Sequence, residues 1–307
     1  MTRQQKAYGA LALTSILWGT TWVASKFAVK GAPGLQVAGI RQLIAGSLLV
    51  GWFLLRGEKL PRREQVAWLT LMGILMFVCS NGLATVSLKF ISSGLSSLIA
   101  SLYPLCVVIM ELIFFGNKKI NALTFAGLLL GIGGIALVLY SNAFHAGENG
   151  FFTGMMLSFI SMIGWAVATL LIARNKVNIN PYYATGWQML IGSFILLLLS
   201  LSSGSFIPVA QLPLNTWLAI AYLVAAGSVI AFIAFIYSMK HLEPAIASLY
   251  AYLNPIVAIL IGALVSDEHL TLPIILGSLV TLVGVFLVNK SLQREKQPAP
   301  PTDAEAM

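Results

Sequence analysis

Ten apolar stretches, each close to the length that crosses a bilayer, divide this chain. A helix needs roughly 20 mostly apolar residues to span the hydrocarbon core. The stretches are Tyr8–Phe27, Gly34–Leu55, Val66–Leu88, Ser93–Phe115 and Ala122–Tyr140, then Phe151–Ala173, Pro181–Leu201, Leu214–Met239, Pro244–Val265 and Leu272–Val288. Short connections carrying Gly, Pro, Asn or charge separate them, which leaves no room for a further domain. Hydrophobic residues make up 58% of the 307 positions and charged residues 9%, against about 25% charged in soluble domains. Such a chain cannot cover itself with a hydrated surface, so lipid is its solvent. The expectation is an all-α polytopic membrane protein with ten transmembrane helices. The first stretch follows Arg3 and Lys6, as a signal peptide would, but it is too long for an ordinary signal h-region and spanning segments follow at once.

The net charge of +8 does not point to nucleic acid, because the basic residues sit in short connections between apolar runs. With the N-terminus cytoplasmic, fourteen Lys and Arg collect on one side: Arg3, Lys6, Arg56, Lys59, Arg62, Arg63, Lys118, Lys119, Arg174, Lys176, Lys240, Lys290, Arg294 and Lys296. The other side has three, Lys26, Lys30 and Lys89, and Arg41 lies within a helix. One missed or extra helix would scramble this alternation, so the count of ten and two cytoplasmic termini are expected together. Cys79 and Cys106 lie in apolar runs and read as small packing residues. No metal, cofactor or catalytic triad is expected: His145, His241 and His269 fall in loops far apart in the chain, and the chain does not read as an enzyme.

The halves resemble each other. Ser87–Pro104 reads SLKFISSGLSSLIASLYP and Ser238–Pro255 reads SMKHLEPAIASLYAYLNP, with seven of eighteen positions identical at an offset of 151. The identities include Lys89/Lys240 and Pro104/Pro255, which membrane composition alone does not supply. Earlier in each half an offset of 147 pairs Trp18 with Trp165, Gly39 with Gly186 and Arg41 with Gln188. The expected units are 1–145 and 146–292, five helices each, followed by a disordered cytoplasmic tail at 293–307. Five is odd, so the second unit enters the membrane upside down. Two inverted halves around a midplane site are the arrangement that alternating access uses.

Several motifs resemble a known family. They are Leu17-Trp18-Gly19-Thr20-Thr21-Trp22-Val23 in the first helix, Gly39-Ile40-Arg41-Gln42-Leu43 in the second, the small residues leading to Pro104 and Pro255, and Asp267-Glu268-His269-Leu270-Thr271 before the tenth. Their order, over about residues 8–290, is similar to the EamA family of the drug/metabolite transporter superfamily. That resemblance implies two inverted five-helix repeats around a central cavity, bent third/fourth and eighth/ninth helices near the site, residence in the plasma (cell inner) membrane, and commonly export of amino acids or other metabolites. The first half departs from the family pattern, with Gly116-Asn117-Lys118 where a Gly-Glu pair is usual.

Candidate site residues follow from depth and chemistry. Polar and aromatic side chains gather at one depth: Asn81, Ser97, Ser101 and Tyr103 in the first half, Tyr250 and Asn254 in the second. Trp18, Trp165 and Phe232 add apolar walls, and the mixture suits an amphipathic metabolite. Interhelical bonding and packing is the alternative for each. Pro104 and Pro255 sit mid-helix at equivalent positions, where each frees backbone carbonyls and invites a kink. Arg41 reads either as an anion anchor near the outer mouth or as a cation snorkelling to the interface. Lys26 reads as a snorkelled cation that can draw anions to the vestibule. Glu111 is the one acid inside a span, near its cytoplasmic end, and reads as an ion-pair partner of Lys118 and Lys119. Gly127, Gly131, Gly133, Gly277 and Gly284 read as close helix packing, with a homodimer contact as the alternative to a monomer. The partners expected are a small-molecule substrate and the bilayer. A secondary carrier exporting small metabolites leads the functional readings. Alternatives are a passive channel, a drug-efflux carrier or a membrane enzyme; no filter motif or metal cluster favours the channel or the enzyme.

Overall fold

The computed structural model describes residues 2–115, 121–145, 150–174, 177–243, 246, 249–266, 268 and 270–296. They form α1 (Arg3–Gly31), α2 (Gly34–Leu55), α3 (Arg63–Ser87), α4 (Ser93–Phe114), α5 (Ala122–His145), α6 (Phe151–Arg174), α7 (Pro181–Ser202), α8 (Leu214–His241), α9 (Tyr250–Val265) and α10 (Leu272–Lys296), with no strand among the described residues. Eight of these are long and apolar enough to cross a membrane. The other two are α1, where Thr14, Ser15, Thr20, Thr21, Ser25 and Lys26 dilute the apolar run, and α9, which has 16 residues. Most apolar stretches match a helix to within a few residues. One larger difference is the start of the ninth stretch, where α9 begins at Tyr250 and residues 244, 245, 247 and 248 lie outside the described residues. The others are polar extensions: α1 begins at Arg3, capped by Thr2 and Gln5, and α10 runs on to Lys296. Residues 293–296, expected in the tail, are therefore helical.

The outer surface is unlike that of a water-soluble bundle, and polar side chains join the apolar ones inside. Leu48, Trp52, Phe114, Leu198 and Leu264 point outward, while Ser15, Gln36, Ser87, Ser96 and Ser228 are buried between helices. Lipid tails are as apolar as leucine, so helices gain by meeting through small and polar residues instead. Along α5 and α10 this goes to the limit: a Cβ on Gly127 would lie 2.7 Å from the Gly284 carbonyl oxygen. Gly277 also lies in this contact, whereas Gly133, expected in it, faces open space.

The largest contacts join helices at matching places in the two halves, α5 with α10 and α2 with α7. The first helix of each half crosses over: α1 packs on α8 and α9, and α6 packs on α3 and α4. Each third helix contains a π-helical stretch, Gly73–Gly82 in α3 and Leu223–Ile230 in α8, nearly superposed by the offset of 151. A π stretch aims backbone carbonyls away from the ordinary ladder, and here they take donors from the crossing helix. The Trp18 Nε1–H donates to the Gly227 carbonyl (3.0 Å), and the Ser161 hydroxyl donates to the Ser80 carbonyl (2.8 Å).

The two prolines differ. Pro255 lies inside α9 as expected. Pro104 does not sit mid-helix: α4 breaks at Ser101 and Leu102, and Pro104 occupies the first turn of its second segment, Tyr103–Phe115. A first-turn proline lacks only a donor that the turn leaves unused. One further tie joins the halves. The Glu268 carboxylate accepts from the backbone N–H of Ser93 (2.7 Å) and Gly94 (3.1 Å) at the start of α4, where a negative charge also suits the helix dipole.

Candidate functional site: a central cavity shared by both halves

At the level of the two π stretches the helices leave a cavity of about 140 Å³, near the size that accepts one benzene-sized molecule in a protein interior. Its lining includes Trp18, Asn81, Ser97, Ser101 and Tyr103 from the first half, and Trp165, Phe232, Tyr250 and Asn254 from the second. The six residues singled out for their depth and the three aromatic walls thus all line one cavity. Pro255 and Arg41 join them, whereas Pro104, Lys26 and Glu111 are not part of the lining.

Aromatic rings make one wall. Trp18 is its hub, lying edge-on to Trp165 (6.3 Å between centroids), Phe232 (5.0 Å) and Tyr250 (5.4 Å), and tilted on Phe235 (4.9 Å). Such geometries pair ring edges with ring faces and contribute about 0.5–1.5 kcal/mol each beyond area burial. The Trp18 bond to Gly227 holds the hub in place. Tyr250 stacks on Tyr103, and its hydroxyl donates to the Tyr103 hydroxyl at 3.3 Å.

Polar groups make the rest. Asn81 accepts from Gln42 Nε2 (2.9 Å) through Oδ1, which leaves its NH₂ as a donor. The Ser97 and Ser101 hydroxyls spend their hydrogens on Gly94 and Leu98 carbonyls one turn back, so what they offer outward is acceptor lone pairs. Asn254 Oδ1 is buried with no donor among the described residues. Ala100 and Ala251, the residues four before each proline, both line the cavity. Pro255, inside α9, has no N–H to give the Ala251 carbonyl.

Arg41 does not snorkel. It is 4% exposed and inside the bundle, with Nε donating to the Ser228 hydroxyl at 2.7 Å. Gly227 makes this possible: a Cβ there would lie 2.8 Å from Arg41 Nη2 and 2.6 Å from Thr21 Cγ2. Its repeat counterpart Gln188 is buried but is not part of the lining. Lys26 is half-buried and donates to the Ile91 carbonyl (2.8 Å), tying α1 to the connection before α4. Glu111 is half-buried in α4, and its expected partners Lys118 and Lys119 lie outside the described residues, as does the side chain of His145. No group of His, Cys, Asp or Glu able to hold a metal occurs among the described residues.

The lining also contains residues that depth alone did not single out: Thr21, Trp22, Ser25, Phe77, Thr85 and Ser161. A usable signal was present. Trp22 and Ser25 follow Trp18 at i+4 and i+7, Phe77 and Thr85 flank Asn81 at four residues, and Ser161 precedes Trp165 by four, so each shares a helix face with a chosen residue.

The lining is repetitive in sequence as well as in shape. Trp18 and Trp165 are counterparts at an offset of 147, and Asn81/Phe232, Ala100/Ala251 and Tyr103/Asn254 are counterparts at 151; both members of every pair line the cavity. The EamA-like transporter family matches the chain twice, over residues 5–140 and 152–290. The uncharacterized inner membrane transporter YedA of Escherichia coli (strain K12) is 31% identical over 97% of this chain and 96% of its own length. The uncharacterized transporter YvbV of Bacillus subtilis (strain 168) is 28% identical over 94% of this chain and 93% of its own. A WAT1-related chloroplastic protein of Arabidopsis thaliana is 30% identical, covering 89% of this chain and 66% of that protein. A solved crystal structure superposes with a TM-score of 0.65 at 18% identity, covering 96% of this chain and all of the other, which supports the fold. Two family matches that together span nearly the whole chain, on an apolar multi-helix bundle, identify it as a multi-pass membrane transporter, not an enzyme, belonging to the EamA-like transporter family.

Proposed function

We propose that the chain is a secondary carrier that exports a small amphipathic metabolite, of the amino-acid size class, through the central cavity by alternating access. In this reading all ten helices cross the membrane as two five-helix units of opposite orientation, with both termini cytoplasmic. The observation that carries it is the paired lining. Residues at equivalent repeat positions converge on one cavity, so rocking one unit against the other re-aims a single site without dismantling it. The carbonyl of Ala251, the donor on Asn81 and the Asn254 acceptor, which has no donor among the described residues, supply polar contacts, and the Trp18 cluster supplies an apolar wall. Net charge also favours the orientation, since fourteen of eighteen Lys and Arg fall on the side of the termini.

Growth resistance of expressing cells against a panel of toxic metabolite analogues finds the substrate class, and flux into vesicles then tests the mechanism. A carrier shows saturating flux and counter-flow stimulated by substrate on the far side; linear, unstimulated flux marks a channel instead. Tyr250→Ala and Asn254→Ala should each lower the initial rate at least tenfold at unchanged membrane level. Normal rates in both would remove these side chains from the site.

A further inference from the structure

Resting on that carrier reading, we propose that the cavity is specific for small organic anions and that Arg41 receives the anionic group, which makes it the residue that sets charge specificity. Arg41 is the one charged side chain in the lining among the described residues. No carboxylate neutralises it there. Its hydrogen bond within the described residues runs from Nε to a neutral serine hydroxyl, so the hydrogens on Nη1 and Nη2 are left for the cavity. A guanidinium in that state is costly inside a membrane, and intramembrane cations at such depth pair with something. The planar fork of an arginine matches a carboxylate with two parallel bonds.

The surroundings fit a site built to keep this charge pointed inward. Gly227 leaves space for Nη2, since a Cβ there would stand 2.8 Å away. Ser228, the next residue of the same π stretch, fixes Nε. Thr21 closes against Gly227 from α1. The repeat also argues against a purely structural cation. The counterpart Gln188 is buried at the equivalent place without charge, so a bundle of this construction holds that position with a neutral amide. A positive charge on one side only gives the shared cavity a fixed polarity, with the anionic end of a bound molecule toward α2 and α8.

The test uses the full-length protein purified in detergent, with three probes of one shape sized to the cavity: benzoate, benzamide and benzylammonium. Trp18, Trp22 and Trp165 line the cavity, so tryptophan fluorescence reports binding. Benzoate should give a saturable change at least tenfold tighter than benzamide, and benzylammonium should give none. Arg41→Gln, which installs the counterpart's side chain, should weaken benzoate at least tenfold while leaving benzamide within twofold, and Arg41→Lys should recover part of the difference. Without any ligand, Arg41→Gln should melt at the same temperature as the parent protein or higher, because it removes a buried charge that lacks a counter-ion. A melting temperature lower by more than about 5 °C would assign Arg41 a structural role and overturn the proposal. So would an absent benzoate response in the parent protein, equal responses to benzoate and benzamide, or full benzoate binding by Arg41→Gln. Stimulated counter-flow of a neutral or cationic substrate would leave the carrier reading standing while this inference falls; linear flux would remove the carrier reading itself.

Discussion

The two halves of the molecule share a plan but divide the work at the cavity. The first half brings the charge and most of the side-chain polarity: Arg41, Asn81, Ser97 and Ser101. From the second come Phe232, Tyr250 and the backbone of a π stretch whose carbonyl and hydroxyl hold Trp18 and Arg41 in place. Where the counterparts are Asn81 and Phe232, one position has become a hydrogen-bond donor and the other a wall. The repeat thus brings counterpart positions to one lining, and divergence between its copies sets the chemistry that each position offers there. The same contrast holds at the ends of the bundle. Glu268 ties the α9–α10 connection to the start of α4, but its counterpart is Asn117, and the counterpart of Ser93 is Pro244, which has no N–H to offer.

Comparing counterparts gives predictions that break or sharpen this contrast. The largest effect belongs to the two tryptophans. Trp18 touches four rings and holds a bond to Gly227, so Trp18→Ala should abolish transport and cost about 3–5 kcal/mol of stability. Trp165→Ala loses an edge-on contact with Trp18 and should cost about half as much or less; equal losses on thermal denaturation would mean that the cluster has no hub. Next come the prolines. Pro255→Ala returns an N–H to the Ala251 carbonyl inside α9 and should slow transport about tenfold. Pro104→Ala acts at a first turn and should stay within about twofold. Equal slowing by both would restore the symmetric pair of kinks that the sequence suggested. The smallest effect is at the tie: Glu268→Gln keeps one acceptor but loses the charge, and should cost about 1–2 kcal/mol on thermal denaturation. An unchanged melting temperature would show the tie to be incidental.

Much of this was legible in the residues. Most helix ends followed apolar run lengths, and counting along each run was enough to bring together Trp18, Asn81, Tyr103, Tyr250 and Asn254, which line one cavity. Other features depend on tertiary neighbours and left no local mark. Carbonyls of the π stretches take donors from Trp18 and Ser161 on crossing helices, partners that no local sequence pattern reveals. Arg41 looked able to reach an interface because its own helix allows it; what turns it inward is Gly227 and Ser228, nearly 190 residues away in sequence. Pro104 looked like a kink because it lies near the middle of one spanning-length run, and only the break at Ser101 and Leu102 shows it starting a segment.

The central claim, two halves of opposite orientation around one cavity, is tested most directly at Lys89 and Lys240. These are identical residues at equivalent repeat positions. In a background carrying Cys79→Ser and Cys106→Ser, Lys89→Cys should react with a membrane-impermeant maleimide only from outside the cell, and Lys240→Cys only from the cytoplasmic face of inverted vesicles. Labelling of both from the same side would contradict the inversion, and with it the account of how the cavity changes sides.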